Sequence, residues 1–226
     1  MAGLTRFGNL PQAKRERIVA AALSEFAEHG YKAASVNRIV GRLGIAKGSL
    51  FQYFGSKLGL FEYVFAHAAS LLAQALREVR EATSGLPLFE RVRRILLAGV
   101  EFIGREPAAY RLYLRTLFQE DAPDRERFLS EVRRLASRYL TPLVAEAKDK
   151  GELRPGIGVQ LAVFCLDGAL DRFLQATCVP FLDNGTGLFG AGRKVVEQRA
   201  SELVELLRCG LAGDGGRTKR ASRDAG

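Results

Sequence analysis

Three polar side chains suited to base recognition, Asn37, Ser49 and Gln52, occur close together in the sequence, with Lys47 and Gly48 beside them. The amides of asparagine and glutamine can form two hydrogen bonds with adenine in the major groove of DNA, and a serine hydroxyl can bond several bases. Gly48 is a poor helix former, at a cost of roughly 1 kcal/mol relative to alanine, so its presence suggests that a side chain there would collide with something that meets this helix. These residue types predict a surface that contacts DNA.

Two short helices separated by a glycine turn would position these side chains. The first is predicted over Val36–Leu43, with Ser35 as its N-cap and Gly44 as its end. The second begins near Lys47, stops at Gly55 and buries two apolar residues four positions apart. Helices joined by a short, glycine-containing turn form a helix-turn-helix. The remaining side chains of the second helix would face outward, where a major groove can accept them.

A longer helix is predicted before this pair. Pro11 is a suitable first-turn residue, the apolar positions keep a 3.6-residue spacing as far as Phe26, and Gly30 is a suitable C-terminal stop. The three helices together predict a helix-turn-helix DNA-binding domain over residues 10–56.

The positive charge of the chain is concentrated in the same segment. The 226 residues include 34 Lys and Arg and 25 Asp and Glu, a formal net charge of +9. Residues 1–60 carry nine basic and three acidic side chains, whereas residues 61–207 carry equal numbers of each. A basic N-terminal module on a neutral body suits a protein whose N-terminal part meets a polyanion. Chance asymmetry of a solvated surface is the alternative.

Helical periodicity continues through the rest of the chain, without the strict alternation that indicates a strand, so the fold is predicted to be all-α. Ser56 caps a long helix, and further helices follow between breaks near Pro87, Pro107 and Pro123 and at the turn 150–156. Apolar residues nearly surround the helix predicted over 159–178, which indicates burial on more than one side. A larger helical domain is therefore predicted over residues 57–212. The tail 213–226, rich in Gly, Arg and Asp, is predicted to be disordered.

The sequence contains few residues that could support catalysis, metal binding or disulfide formation. Cys165, Cys178 and Cys209 are widely spaced and form no C-x-x-C pair, which argues against a zinc site or a disulfide framework and fits a reducing cytoplasm. There are two histidines, His29 and His67, and no P-loop or nucleophile elbow. We therefore expect no catalytic residue, no metal site and no cofactor. The absence of an apolar signal segment predicts a cytoplasmic protein that does not meet a membrane.

The segment from about Ile18 to Phe61 resembles the TetR family of bacterial transcriptional regulators. The resemblance rests on a specific series of spaced residues: Ile18, Ala21, Ala22 and Phe26, then Gly30-Tyr31, Ser35-Val36 with Ile39, Leu43-Gly44-Ile45, Lys47-Gly48-Ser49-Leu50-Phe51 with Tyr53-Phe54, and Ser56-Lys57. It implies a dimer whose two recognition helices enter successive major grooves of a palindromic operator. It also implies a C-terminal domain whose small-molecule ligand relieves repression.

The resemblance also implies roles for individual residues. The DNA-binding set consists of Ser35, Tyr53 and Lys57 at positions that match phosphate contacts, Asn37, Lys47, Ser49 and Gln52 at positions near bases, and Arg38, Gly48 and Phe51 beside them.

Three positions depart from the family's pattern. Ala46 stands where a capping serine is frequent, a change that weakens the following helix by about 1 kcal/mol. Phe51 replaces a frequent tyrosine and loses one hydrogen bond to phosphate, and Gly55 replaces a frequent proline.

Beyond Phe61 the resemblance is to a pattern of helices, supported by the turn 150–154 and the pair Asp167-Gly168. The family implies a ligand cavity in this part, for which the candidates are Phe65, Phe102, Tyr110, Tyr113, Phe118, Tyr139, Phe164 and Asp167. It also implies that the last two long helices pack against a partner subunit, for which the candidates are Gly168, Ala169, Arg172, Val196, Ala200, Leu203 and Leu207. Ordinary packing within one chain is the alternative for both sets.

The sequence as a whole predicts a homodimeric, operator-specific transcriptional regulator, and not an enzyme. The resemblance further predicts a repressor that is released by a small, largely apolar ligand. A ligand-independent or non-specific DNA-binding protein is one alternative, and a helical enzyme with a basic N-terminus is another.

Overall fold

The computed structural model describes residues 2–119 and 122–211. Within these residues the chain forms eleven helices and no strand, which confirms the all-α prediction. The helices are α1 (Ala2–Gly8), α2 (Gln12–Ala33), α3 (Val36–Leu43), α4 (Lys47–Phe54), α5 (Lys57–Ala82), α6 (Leu88–Arg105), α7 (Pro107–Phe118), α8 (Arg125–Asp149), α9 (Val159–Cys178), α10 (Pro180–Asp183) and α11 (Arg193–Leu211). The predicted tail 213–226 lies outside the described residues.

Local sequence signals set several helix ends as predicted. The Ser35 Oγ accepts a hydrogen bond of 3.4 Å from the Arg38 backbone N–H and so caps α3. Gly44 ends α3 in the left-handed conformation, with a φ of 65°. Gly30 interrupts α2 with a φ of 71° and a ψ of 177°, and a last helical turn then follows as far as Ala33.

Helix α1 is absent from the sequence-based prediction, which starts the first helix at Pro11. Its seven residues are too few to form a stable helix alone, so tertiary packing must hold it. The ring of Phe7 is buried and lies 4.8 Å from the ring of Phe54 in α4, measured between centroids.

The described residues divide into two units. The first comprises Met1–Gln74 and Phe102–Arg133, within which aromatic rings form a continuous buried cluster. The ring centroid of Phe61 lies 5.1 Å from that of Phe26 and 5.4 Å from that of Phe128. Burial of rings of this size helps to hold α2, α5 and α8 together here.

A guanidinium group connects α7 to α2 inside the same unit. Arg115 donates hydrogen bonds of 2.7 Å to the Ala27 carbonyl and 2.6 Å to the Glu28 carbonyl. These carbonyls lie just before the break at Gly30, where a helix leaves carbonyls without intrahelical donors. Arg115 thus fixes the end of α2.

The second unit comprises the described residues of Ala75–Glu101 and Arg134–Gly226. Its core is formed by α6, α8, α9 and α11, and the most deeply buried members are Val92, Leu96, Val144, Ala162, Leu166 and Ala200. Gly99 brings α6 close to α9, because a Cβ there would lie 2.8 Å from the Leu174 Cδ1.

Candidate nucleic-acid interface

Helices α3 and α4 form the predicted helix-turn-helix. The buried side chains of Ile39, Leu50 and Phe54 anchor the two helices on the core of the first unit. Helix α4 starts at Lys47 with no side-chain cap, since Ala46 has no group that could accept a hydrogen bond. Gly55 ends the helix with a φ of 75°, a conformation that glycine adopts without steric cost.

The opposite face of the motif carries the predicted DNA-binding residues. The exposed members are Asn37, Arg38, Lys47, Gly48 and Gln52, and the partly buried members are Ser35, Ser49, Phe51, Tyr53 and Lys57. The structure therefore brings the ten residues together on two adjacent helices and the start of α5. Their individual roles in DNA binding stay predictions.

The expected collision at Gly48 does not occur within the protein. A Cβ built on Gly48 has no atom of the described chain within 4 Å. A helical glycine with open space costs about 1 kcal/mol of stability relative to alanine. The described part of the chain therefore gives no steric reason for glycine at this position.

Glu25 of α2 holds α3 in place from below. Its side chain is fully buried, and its Oε1 accepts hydrogen bonds of 2.8 Å from the Ser35 backbone N–H and from the Arg38 Nε. The guanidinium of Arg42 lies 3.7 Å from the Oε2, and His29 lies 3.9 Å from the same atom. One carboxylate thus connects the start of α3 and two arginines of α3 to α2.

These contacts determine the ionisation of Glu25. Burial raises the pKa of its carboxyl, but the hydrogen bonds from Arg38 and Ser35 and the positive charges of Arg38 and His29 outweigh burial and bring the pKa below 4.5. The carboxylate is therefore charged at neutral pH.

Acid is expected to destabilise the protein partly through Glu25. Because the folded pKa is lowered, the contribution of Glu25 to the free energy of unfolding is fully present above pH 4.5 and is lost as the pH falls through the folded value. Urea unfolding of the wild type and of Glu25→Gln between pH 7 and pH 3 would measure this. The stability advantage of the wild type should shrink towards low pH, and an advantage that stays constant over the range would contradict the assignment.

The two lysines of the predicted set have different surroundings. The Nζ of Lys57 donates a hydrogen bond of 3.0 Å to the Lys32 carbonyl and lies 4.9 Å from the centre of the Tyr31 ring. The Nζ of Lys47 lies 5.9 Å from the centre of the Phe51 ring, and its side chain is exposed. Lys57 therefore has a structural task in addition to its predicted phosphate contact.

The eight predicted ligand residues fall into both units. Phe65, Phe102 and Tyr110 are buried in the first unit, where Tyr113 is partly buried and Phe118 is exposed. In the second unit Tyr139 is buried, Asp167 is partly buried and Phe164 is 75% exposed. Tyr139 lines a pocket of about 260 Å³ together with Arg80, Arg91 and Leu143. Their role in ligand binding stays a prediction.

The predicted dimer residues lie on two different faces. Val196 and Ala200 are buried in the core of their own chain, and Leu203 and Leu207 pack against that core. On α9, Gly168 and Arg172 are exposed and Ala169 is partly buried. The exposed apolar surface of α9 contains Leu161 and Phe164, which are not among the predicted dimer residues.

Two features that support the helix-turn-helix were missed by reasoning from the sequence. The three-residue spacing of Leu4, Phe7 and Leu10 is a weak sign of the helical turn before Pro11. Glu25 has no local signal, since its partners Ser35 and Arg38 are ten and thirteen residues further along the chain.

Comparison with known proteins identifies the segment that contains the helix-turn-helix. Residues 18–64 match the family model described as bacterial regulatory proteins, tetR family. The transcriptional activator FasR of Mycolicibacterium smegmatis is 33% identical over 122 residues, which span 53% of each chain. The transcriptional repressor AcnR of Corynebacterium diphtheriae is 29% identical over 162 residues, which cover 72% of this chain and 80% of AcnR.

Solved structures extend the similarity to nearly the whole chain. A TetR family transcriptional regulator from Chloroflexus aurantiacus J-10-FL has a TM-score of 0.68 and 25% identity, with 92% of this chain and 97% of that chain covered. The regulator FadR of Bacillus subtilis, solved in complex with stearoyl-CoA, shares the fold with a TM-score of 0.67 and 18% identity, over 86% of this chain and 98% of its own. The segment 18–64 thus matches the TetR family of bacterial regulatory proteins, and the fold of nearly the whole chain is similar to that of a TetR family regulator.

Proposed function

We propose that this protein is a homodimeric transcriptional repressor that binds a specific operator through α4 and leaves it when a small, largely apolar ligand binds. The observation that carries the proposal is the outer face of α4, where Lys47 and Gln52 are exposed around a glycine with open space above it. A small hydrogen-bonding face of this kind suits direct contact with base edges. The protein would act in the cytoplasm, where operator DNA lies.

The proposed division of labour assigns residues 10–56 to DNA binding and residues 57–212 to ligand binding and dimerisation. Residues 102–133, which include α7, pack in the same unit as α2–α4. This packing supports a regulatory role for α7, because a change in the position of α7 would also displace the DNA-binding helices.

The dimer is supported by one stripe on α9. Leu161, Phe164, Gly168 and Arg172 follow a spacing of three and four residues, and all four are exposed. Residues at these intervals share one face of a helix. Exposed large apolar side chains next to a glycine suit close packing against a second helix, and the same helix in a second copy can supply it.

The lining of one groove and the fold of the chain both bear on the chemistry of the proposed ligand. A groove in the first unit is lined by Leu71 of the proposed ligand-binding part and by Val19 and Leu23 of α2, together with charged side chains such as Arg15 and Glu106. The Bacillus subtilis FadR, which has the same fold, was solved with stearoyl-CoA. Stearoyl-CoA is therefore the first probe, and its addition should release the protein from operator DNA. Undiminished DNA binding at saturating probe would exclude long-chain acyl-CoA esters as the ligand.

A titration of the dimer against DNA fragments selected by the protein from random sequences tests the proposal. Binding that survives excess unrelated DNA at physiological salt, with two subunits or a multiple of two per site, is expected. Binding that vanishes with competitor would indicate a non-specific DNA-binding protein, and substrate turnover would indicate an enzyme.

No helix in the part of the chain that the structure describes has the length and apolar character to cross a bilayer.

Replacing Gly48 with alanine should separate DNA binding from stability. The free energy of unfolding is expected to rise by about 1 kcal/mol, since alanine favours the helix and meets no neighbour in the chain. Affinity for the selected DNA should fall by about tenfold, because the methyl group occupies space that a base edge or phosphate needs. Urea unfolding and fluorescence anisotropy with labelled DNA would measure the two changes.

Gly104→Ala in α6 is the matched control. Gly104 is also exposed, and a Cβ there has no atom of the described chain within 4 Å. The control should leave DNA affinity unchanged. Equal DNA affinity of Gly48→Ala and the wild type would remove Gly48 from the interface.

A further inference from the structure

We propose that α1 braces the recognition helix α4, so that residues 2–8 control the affinity of the protein for DNA. The inference rests on the proposed function, since it assigns a further segment to the same DNA interface. It concerns a helix that precedes the family match at residues 18–64.

The start of α1 lies directly against the last turn of α4. A Cβ built on Gly3 would lie 2.6 Å from the Gln52 carbonyl oxygen and 2.6 Å from the Tyr53 carbonyl oxygen. Real Cβ atoms do not approach oxygens this closely, so the contact requires glycine. The hydrogen that occupies the Cβ position points at both oxygens, as in weak Cα–H···O contacts between packed helices.

The contact joins helix ends of opposite polarity. The first turn of a helix carries free N–H groups and partial positive charge, and the last turn carries free carbonyls and partial negative charge. The N-terminal end of α1, which contains Gly3, faces the carbonyls of Gln52 and Tyr53 at the C-terminal end of α4. The electrostatic interaction therefore favours the observed arrangement.

Phe7 fixes the same helix through its ring. The side chain is 2% exposed, and its ring centroid lies 4.8 Å from Phe54, 5.8 Å from Tyr53 and 5.2 Å from Tyr63. Two of these rings belong to α4 and the third to α5. Phe7 therefore couples the orientation of α4 to that of α5.

The far end of α1 is attached to α2. The Nη1 of Arg15 donates a hydrogen bond of 2.6 Å to the Gly8 carbonyl. With one end on α4 and the other on α2, α1 resists any tilt of α4. Gln52, which carries one of the predicted base contacts, lies at the held end, so a displacement of α1 would move its side chain.

Gly3→Ala and Gly8→Ala form a matched pair within α1. The alanine methyl group at position 3 would collide with two backbone oxygens, whereas a Cβ at position 8 has no atom of the described chain within 4 Å. Gly3→Ala is expected to lower affinity for the DNA selected by the wild type by about tenfold, the size of one lost base contact. Gly8→Ala should bind as the wild type does.

Hydrogen exchange on the full-length protein without DNA provides a second readout. Backbone amides of residues 47–54 should exchange faster in Gly3→Ala than in Gly8→Ala, while amides of α9 exchange equally in both. Equal exchange in α4 for the two variants would overturn the brace. Faster exchange with unchanged DNA affinity would overturn its link to DNA binding. If the wild type binds no DNA specifically, the proposed function fails, and the exchange comparison still decides whether α1 holds α4.

Phe7→Leu and Phe7→Ala provide an independent test. The leucine variant keeps an apolar side chain in the ring cluster and should retain most of the DNA affinity, whereas the alanine variant should resemble Gly3→Ala in both readouts. Retention of full affinity by Phe7→Ala would contradict the proposal.

Discussion

Replacing Glu25 with alanine is expected to lower the free energy of unfolding by about 3 kcal/mol and to weaken operator binding with it. The carboxylate is fully buried, and its removal leaves the Ser35 N–H without its acceptor and the Arg38 Nε without its ion pair. Loss of one member of a buried pair costs 3–5 kcal/mol, and we take the lower end because the side chain of Arg38 is 46% exposed and can return to water.

Glu28→Ala is the control for this substitution. Glu28 follows Glu25 by one helical turn and lies 3.7 Å from the same Arg42, but its side chain is 41% exposed. An exposed ion pair contributes little, so the expected loss is much smaller than that of Glu25→Ala. Urea unfolding and DNA titration of both variants would measure the contrast. Similar losses for the two would show that burial of Glu25 is not what makes it important.

Phe164→Asp is expected to convert the proposed dimer into monomers. The phenylalanine is 75% exposed at the centre of the α9 stripe, so the change should leave the core of the subunit intact. A charge placed in an apolar contact between subunits should raise the dissociation constant of the dimer by about a hundredfold, the effect of losing one central anchor. Operator affinity should fall as well, because a dimer contacts two half-sites at once.

Phe118→Asp is the control for the dimer. Phe118 is 47% exposed at the end of α7 and belongs to the other unit. Sedimentation velocity over a range of protein concentrations would measure the assembly of both variants and of the wild type. A dimeric Phe164→Asp would place the subunit interface elsewhere, and a monomeric wild type would remove the dimer from the proposal.

The sequence predicts α3 and α4 well because their signals are local. A capping serine sets the start of α3, glycines with positive φ end both helices, and buried residues four positions apart determine which side of α4 faces the core. The outward position of Gln52 follows from the burial of Leu50 and Phe54 alone. No contact with a distant segment is needed for this prediction.

Features that depend on distant contacts were not predictable in the same way. Helix α1 exists because Phe7 packs on rings that lie about fifty residues further along the chain. On α11, the 3.6-residue spacing of Val196 and Ala200 identifies an apolar face but does not say what covers it. The structure covers that face with the core of the same chain.

Arg115 has a thermodynamic consequence for regulation. A ligand that displaces α7 must either move the end of α2 with it or break two hydrogen bonds from a charged donor, each worth about 1.5–3 kcal/mol. If this linkage couples a ligand site to the DNA interface, the coupling is reciprocal. Bound DNA must then lower the affinity for the ligand by the same factor by which the bound ligand lowers the affinity for DNA. An inducer assayed on the DNA-free protein would then appear to bind more tightly than it does to the repressor on its operator.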